Sequence, residues 1–323
     1  MNKRKLFILF VLFEFIIIGL LFLRIKYKKN TLGVSINLID EDFINGIRSG
    51  DLNNFYEPEA NTSDHPPTWL PFKATYQVNG DTLNSINDFK FQKDPDTYRI
   101  ITLGDSFTFG VGVNTIDTYP EVLNNNLNLC KKYESIRRFE VINLGVGGYD
   151  FEYAVERYRY RGTKYNPNLV TWLFIDPLRI TEQVIPLNNK ILKQLKETGK
   201  FDDLVKKGKY YQSFIEAMKL IEKKMGVPNI LEYQKKAILK LNNYYQGKLV
   251  IILPNWIYSD PNVFSLVEEI QRIRPNTYLL KLGDQVFQPS NKLPDSHPNE
   301  KGHRMLAEEI LNYLKITKLI PCE

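Results

Sequence analysis

Short apolar runs alternate with segments of helical period from residue 98 to the end of the chain, and this alternation constrains the fold most. The runs have the length and composition of buried strands, and stretches long enough for helices separate them. The predicted strands are residues 99–103, 140–143, 169–175, 248–253 and 278–282. Strands separated by helices predict a parallel sheet with helices on both faces. We therefore expect a three-layer α/β/α fold around a five-stranded parallel sheet.

The connection between the third and fourth predicted strands is much longer than the others. Residues 187–246 are rich in Lys and Glu, have helical period, and are interrupted at Gly226-Val227-Pro228. We predict a helical insertion whose charged faces are solvated. The same helices could also form a lid over the strand ends.

The N-terminus has the composition of a membrane anchor. Residues 6–23 are apolar apart from Glu14, and a helix of this length spans about 27 Å, close to the hydrocarbon thickness of a bilayer. Basic residues flank the run on both sides and no small-residue cleavage site follows, unlike a buried core helix or a cleaved signal peptide. We predict that residues 1–30 form an uncleaved transmembrane anchor in the cell membrane, crossing once, with the remaining chain extracytoplasmic. Glu14 is expected to be protonated or to pair with another helix.

The net charge of +6 belongs entirely to this anchor, because residues 1–30 carry seven Lys and Arg residues and one Glu. The other 293 residues hold 36 basic and 36 acidic residues. A nucleic-acid-binding domain would need a basic excess on its folded part, so we expect no nucleic-acid partner. Residues 31–97 are rich in Asn, Asp and Pro and predict a linker with an irregular or β-rich lead-in. The remaining unit is residues 98–323.

Residues with catalytic chemistry follow the predicted strands. Ser106 lies just after the first strand, and a serine hydroxyl needs a positioned base to act as a nucleophile. The chain has three histidines, His65, His297 and His303. His297 lies on the loop after the fifth strand, with Asp295 two residues before it, so these two residues could complete a Ser-His-Asp triad. The alternative is that the Asp-x-His sequence only caps the last helix.

Three motifs, in order, resemble those of the SGNH (GDSL-type) hydrolases, and the resemblance covers about residues 98–314. They are GDSFTFGVGV at 104–113, NLGVGG at 143–148 and DSHPN at 295–299. The segment SINDF at 85–89 also resembles the one that often precedes this domain in membrane-anchored, envelope-type members. The resemblance implies a flavodoxin-like sheet and an ester hydrolase domain at 98–323.

The resemblance also implies a role for each matching residue. Ser106 would be the nucleophile, His297 the general base and then acid, and Asp295 the group that orients His297. The backbone N–H groups of Ser106 and Gly148 would bind the oxyanion, each contributing roughly 3–4 kcal/mol of barrier lowering. A turn glycine is the simpler interpretation of Gly148, and the two interpretations are compatible. His303 is expected to be structural.

Two departures from the family pattern affect these expectations. The third family block, Gly-x-Asn-Asp, supplies an Asn as a further oxyanion donor, whereas Asp176 falls at that position here. An ionised carboxylate accepts hydrogen bonds and cannot donate them, so Asp176 could replace Asn only if protonated. The second departure is the Asp-x-His spacing, which is one residue shorter than the commoner one.

The sequence predicts no cofactor and no metal site, because it contains neither a dinucleotide fingerprint nor a Walker A motif nor metal-ligand spacing. It leaves open whether Cys130 and Cys322 pair. The expected function is a membrane-anchored serine esterase that removes or transfers acyl groups, acetyl above all, on envelope carbohydrate through an acyl-Ser106 intermediate. The alternatives are a lipid esterase or lysophospholipase, and a catalytically weak domain that binds envelope glycan.

Overall fold

The computed structural model describes residues 52–64, 73–133, 135–209 and 211–323. The predicted anchor at 1–30, with its span at 6–23, lies outside these ranges, as do His65 and the first part of the predicted linker. Within the described ranges, no helix is long and apolar enough to cross a bilayer. The anchor therefore stays a prediction from sequence.

Strands in the described ranges form two sheets. In chain order they are β1 (Thr62–Asp64), β2 (Tyr76–Val78), β3 (Thr97–Leu103), β4 (Arg138–Asn143), β5 (Leu169–Leu173), β6 (Lys248–Leu253) and β7 (Thr277–Lys281). β1 and β2 pair antiparallel, and the other strands form a parallel sheet in the order β4-β3-β5-β6-β7. This is the flavodoxin-like order, so the predicted five-stranded parallel sheet is confirmed. The strand order reverses beside β3, where sheets of this kind place their ligand sites.

Helices connect the strands and fill the insertion. They are α1 (Ser106–Phe109), α2 (Tyr119–Leu129), α3 (Phe151–Arg157), α4 (Thr181–Glu197), α5 (Lys200–Lys206), α6 (Gln212–Met225), α7 (Val227–Lys240), α8 (Asn255–Tyr258), α9 (Pro261–Ile273) and α10 (Glu300–Ile316). Short 3₁₀ and π turns lie at Thr115–Asp117, Tyr158–Gly162, Thr163–Tyr165, Leu241–Asn243, Asp284–Phe287 and Pro289–Asn291.

The parallel sheet is buried between two layers of helices because alternate side chains of each strand point to opposite faces. On one face, Ile101, Trp172 and Ile251 share a core with residues of α3, α7 and α9. On the other face, Ile100 and Val250 share a core with residues of α2 and α10. The strands read as continuous apolar runs because both faces are covered.

The insertion begins earlier than its sequence indicated. Its first helix, α4, starts at Thr181 rather than near 187, and the predicted interruption is a single residue, Gly226, between α6 and α7. The helices have an apolar core of their own, formed by residues such as Val184, Leu187 and Leu220. Pro186 lies inside α4, and a proline normally marks a helix boundary, so the sequence indicated a start after it.

The lead-in before residue 98 is more ordered than its composition suggested. Tyr76 of β2 packs against Phe109 of α1, with ring centroids 5.2 Å apart, and its hydroxyl accepts a hydrogen bond from the Gly112 N–H. The Asn84 amide donates to the carbonyl of Phe109 at 2.7 Å. Residues 73–96 therefore support the short helix that begins with Ser106.

Cys130 and Cys322 form a disulfide with Cα atoms 5.9 Å apart and a sequence separation of 192 residues. The bridge joins the end of α2 to the C-terminal tail, which also pairs with residues 131–133 through backbone hydrogen bonds. The question that the sequence left open is thus answered in favour of pairing.

We expect Cys322→Ser to lower the free energy of unfolding by up to about 5 kcal/mol, because the bridge closes a long loop in the unfolded chain. Urea denaturation of the full-length protein measures the loss. The Cys130→Ser/Cys322→Ser double variant serves as the control and should match the single variant. Two free thiols in the denatured, unreduced protein would contradict the pairing.

Candidate active site

The turn after β3 presents the hydroxyl of Ser106 at the carboxyl edge of the sheet. Gly104 has φ 153°, and a Cβ there would lie 2.1 Å from Oγ1 of Thr108, so only glycine fits. Asp105 caps α1 by accepting a hydrogen bond from the Phe107 N–H at 3.0 Å. Ser106 begins that helix and is partly exposed.

The structure brings Ser106, His297 and Asp295 together although 191 residues separate the first two. Oγ of Ser106 lies 2.8 Å from Nε2 of His297, and Nδ1 of His297 lies 3.0 Å from Oδ2 of Asp295. The Nδ1–H is not aligned on that oxygen for a hydrogen bond, an alignment that active sites often complete only with substrate. The order and distances are those of a serine nucleophile, its base and an orienting carboxylate.

The short Asp-x-His spacing is accommodated by Ser296, whose φ of 75° lies in the left-handed region. This turn at Ser296 lets the His297 ring face Asp295. The backbone N–H of His297 also donates to Oδ1 of Asp295 at 3.2 Å. A non-glycine residue in this region costs on the order of 1–3 kcal/mol, so the surrounding loop must hold it in place.

The second motif places Gly147 beside Ser106, with Gly148 next in the chain. Gly148 has φ 82°, and a Cβ built on the preceding Gly147 would lie 3.9 Å from Cβ of Ser106. We call residues 145–149 the oxyanion loop. The backbone N–H groups of Ser106 and Gly148 stay the predicted oxyanion donors.

Asp176 follows β5, and its carboxylate takes part in an ion pair. Its Oδ2 lies 3.3 Å from Nη2 of Arg179, a residue that sequence analysis missed. Nη1 of Arg179 donates to Oδ2 of Asp105 at 3.1 Å and to the carbonyl of Tyr149 at 3.0 Å. Arg179 therefore joins the loops that follow β3, β4 and β5.

The guanidinium of Arg179 forms ion pairs with both Asp105 and Asp176. Burial alone lowers the pKa of Arg179, but the charges of Asp176 and Asp105 outweigh it, so the pKa is raised and the guanidinium stays charged. An ionised carboxylate offers only acceptors, so a missing donor at the third oxyanion position stays a prediction from sequence. The i, i+3 spacing of Asp176 and Arg179 was the only sequence signal for the pair.

We expect Arg179→Met to lower the free energy of unfolding by about 3–5 kcal/mol, because it leaves Asp105 and Asp176 without their shared cation. Arg159→Met is the matched control, since the partly exposed Arg159 pairs at i, i+3 with one carboxylate, that of Glu156, and its loss should cost clearly less. Urea denaturation compares the two variants. Equal losses would contradict a special role for the Arg179 cluster.

His303 does not join the triad. It is fully buried in α10, and its Nδ1 accepts a hydrogen bond from the Tyr119 N–H at 3.1 Å. Burial lowers its pKa to about 3, with a smaller contribution from His297, so the ring is neutral. This environment agrees with the expected structural role.

The pKa of His303 makes the protein less stable in acid. The unfolded chain takes up a proton near pH 6.5 that the folded chain refuses until about pH 3, so stability falls across that window. From pH 7 to pH 5 this group should cost about 2 kcal/mol. We expect His303→Asn, which keeps an acceptor for the Tyr119 N–H, to remove that part of the pH dependence of urea unfolding. An unchanged pH slope would contradict the assignment.

A row of aromatic rings leads from the triad to the surface. We call Phe107, Phe287 and Trp256 the aromatic row. Phe107 lies 5.2 Å from the His297 ring and 5.9 Å from Phe287, which lies 4.8 Å from Trp256. Trp256 is 39% exposed, and Nζ of Lys292 lies 5.3 Å from its ring centroid. The rings are tilted by 55° and 71° to one another and Phe287 is buried, so Trp256 forms the exposed apolar end of the row, with Lys292 as a polar neighbour.

The insertion contacts the site through its first turn. The Thr181 hydroxyl donates to the carbonyl of Gly148 at 2.8 Å, and the Thr181 N–H donates to Oδ2 of Asp150 at 2.7 Å. Burial raises the pKa of Asp150 to about 6, and the Thr181 and Tyr153 N–H groups limit the shift. The possibility that the insertion closes as a lid stays a prediction.

Comparisons with known proteins find similar solved structures, whereas neither a family model nor a curated protein matches. The psychrotrophic esterase EstA from Pseudoalteromonas sp. is 15% identical with a TM-score of 0.45, covering 68% of this chain and 98% of EstA. The lipase/acylhydrolase from Enterococcus faecalis is 16% identical with a TM-score of 0.42, covering 70% and 99%. A catalytic mutant of Axe2, an acetylxylan esterase from Geobacillus stearothermophilus, is 14% identical with a TM-score of 0.38, covering 69% and 95%.

Proposed function

We propose that this chain is a membrane-anchored serine esterase of SGNH type that acts on acylated envelope carbohydrate. The observation that carries the proposal is the contact of Ser106 with His297, whose other ring nitrogen faces Asp295. A hydroxyl held 2.8 Å from an imidazole nitrogen can pass its proton to that base as it attacks, whereas a serine with no base beside it cannot.

The reaction begins when Oγ of Ser106 attacks the ester carbonyl and its proton passes to Nε2 of His297. The carbonyl oxygen becomes an oxyanion that the N–H groups of Ser106 and Gly148 bind, while Asp295 stabilises the imidazolium. The intermediate collapses by breaking the bond to the alcohol oxygen, which takes the proton from His297. An acyl group remains on Ser106.

In the second half, His297 removes a proton from the acceptor as the acceptor attacks the acyl-Ser106 ester. The bond between the acyl carbon and Oγ of Ser106 then breaks, and His297 returns the proton to Oγ. Water as acceptor gives a hydrolase, and a sugar hydroxyl gives an O-acyltransferase. The acyl group we propose is acetyl. Both outcomes use the same residues, so the acceptor decides the name of the activity.

The aromatic row favours a carbohydrate substrate. The exposed face of Trp256 can pack against the C–H face of a sugar ring, because aromatic faces carry a partial negative charge. Polar side chains lie next to it: the Asn255 amide donates to Asp284 at 2.6 Å, and Lys292 lies over the ring. Such groups can bind sugar hydroxyls, whereas an acyl chain needs an apolar groove.

The disulfide supports a location outside the cytoplasm, since such bonds persist in oxidising compartments. The apolar run at 6–23 supports attachment to the membrane. Together they favour an extracytoplasmic domain and a substrate of the cell envelope.

A second candidate function follows from the pairing of Asp176 with Arg179. Because no side-chain amide occupies the third oxyanion position, the domain could turn over slowly and serve mainly to bind glycan. The aromatic row would then be the binding site.

A fluorophosphonate probe, read by intact mass on the full-length protein, tests the nucleophile. We expect one adduct on the wild type and on Asp176→Asn, and none on Ser106→Ala. An adduct that persists in Ser106→Ala would contradict the mechanism. Labelling that appears only in Asp176→Asn would favour the glycan-binding candidate.

We expect Trp256→Ala to raise KM for an acetylated oligosaccharide about tenfold, since stacking of this kind is worth about 1–1.5 kcal/mol. Turnover of p-nitrophenyl acetate should stay unchanged, because this small ester does not reach Trp256 at the far end of the row. Phe91→Ala is the control, since Phe91 is another exposed aromatic residue, 56% exposed and packed on Tyr165. A preference for long-chain aliphatic esters would instead support the lipid esterase alternative.

A further inference from the structure

A short segment before the predicted hydrolase domain lies against the oxyanion loop. We call residues 52–57 the N-terminal segment. Its side chains Leu52, Phe55 and Tyr56 pack with Val146, Tyr149, Tyr153 and Ile185. The sequence assigned these residues to a linker, so their position beside the active site is decided by the tertiary structure.

Polar contacts hold the N-terminal segment at both ends. The backbone N–H groups of Asn53 and Asn54 donate to the carboxylate of Glu182, at 3.0 and 3.3 Å. At the other end, Glu57 forms ion pairs with Arg157, which is fully buried, and with Arg161. Burial alone raises the pKa of Glu57, but Arg161 and Arg157 outweigh it and hold the pKa below its ordinary value.

Between these two ends, the hydroxyl of Tyr56 contacts the oxyanion loop directly. It donates a hydrogen bond to the carbonyl of Gly147 at 2.5 Å. A Cβ built on Gly148 would lie 2.7 Å from the hydroxyl oxygen of Tyr56, so this position of Tyr56 requires a glycine at 148. The ring packs edge-on against Tyr149 with centroids 5.3 Å apart.

The contact matters because the Gly147 carbonyl and the Gly148 N–H belong to one peptide bond. A trans peptide is planar, and its C=O and N–H point in opposite directions. The described residues contain no cis peptide. When Tyr56 fixes the carbonyl oxygen, it therefore also fixes the direction of the N–H that is the predicted oxyanion donor. A hydrogen bond to the carbonyl also polarises the peptide and strengthens that donor.

Glycines give the oxyanion loop its shape but leave it free to rotate, so the loop needs external supports. Side chains bind its last three carbonyls: Tyr56 binds that of Gly147, Thr181 that of Gly148, and Arg179 that of Tyr149. Only the first of these carbonyls shares its peptide bond with the Gly148 N–H. Burial raises the pKa of Tyr56, which keeps the hydroxyl protonated and able to donate.

We propose that Tyr56 is a positioning residue that orients the Gly148 N–H toward the oxyanion, and that residues 52–57 are part of the active site. The inference rests on the proposed esterase function. Because Asp176 occupies the third oxyanion position, only the N–H groups of Ser106 and Gly148 would stabilise the oxyanion. The direction of each N–H should therefore have a larger effect on the rate.

The test compares Tyr56→Phe with Tyr98→Phe in the full-length protein. Both changes remove one hydroxyl that donates to a backbone carbonyl, since Tyr98 donates to Leu319 at 2.6 Å in a buried region away from the triad. Loss of an entire oxyanion donor costs about 10²–10³ in kcat, so loss of its support should cost about tenfold. We expect Tyr56→Phe to lower kcat and the fluorophosphonate labelling rate about tenfold, with KM for p-nitrophenyl acetate unchanged.

A boronic acid inhibitor, which forms a tetrahedral adduct with the serine, should bind Tyr56→Phe weaker by the same factor. Tyr98→Phe should keep the wild-type rate and inhibition constant at a similar unfolding midpoint. Rates within twofold of wild type in Tyr56→Phe would overturn the proposal, as would equal losses in both variants. A wild type that does not label at Ser106 would refute the esterase function itself, and the positioning role with it.

Discussion

The buried guanidinium of Arg179 is the interaction on which the catalytic edge of the sheet depends. Three loops reach this edge from different strands and bring two carboxylates, Asp105 and Asp176, and the carbonyl of Tyr149. Without a cation, the two carboxylates would repel each other, and Asp105 would be buried with only the Phe107 N–H as a partner among the described residues, which is costly. The planar guanidinium can donate to all of them at once, whereas a lysine would offer a point charge without that geometry.

This cluster fixes the position of Ser106, the proposed nucleophile. One oxygen of Asp105 is held by Arg179, and the other caps the helix that begins with Ser106. The serine backbone is therefore fixed relative to the loops after β4 and β5 before any substrate binds. Such preorganisation is what makes donors effective, because they need not reorient when charge develops.

Residues outside the three sequence motifs hold the oxyanion loop. Tyr56 comes from the segment predicted as linker, and Thr181 from the first turn of the insertion. Both donate hydrogen bonds to carbonyls of a glycine-rich loop. The proposed active site thus includes a residue that precedes residue 98, the predicted start of the hydrolase domain.

The sequence alone predicted the layers of the fold and identified Ser106, Asp295 and His297 as the candidate triad. It could do so because strand and helix periods and short motifs are local properties of a chain. It also identified the apolar run at 6–23, on which the anchor prediction rests. It could not decide the partner of Asp176 or the place of Tyr56. Arg179 contacts Asp105 across 74 positions of the chain, and Tyr56 contacts Gly147 across 91 positions. These contacts depend on the directions of side chains in loops, which follow no period, and therefore only the tertiary structure fixes them.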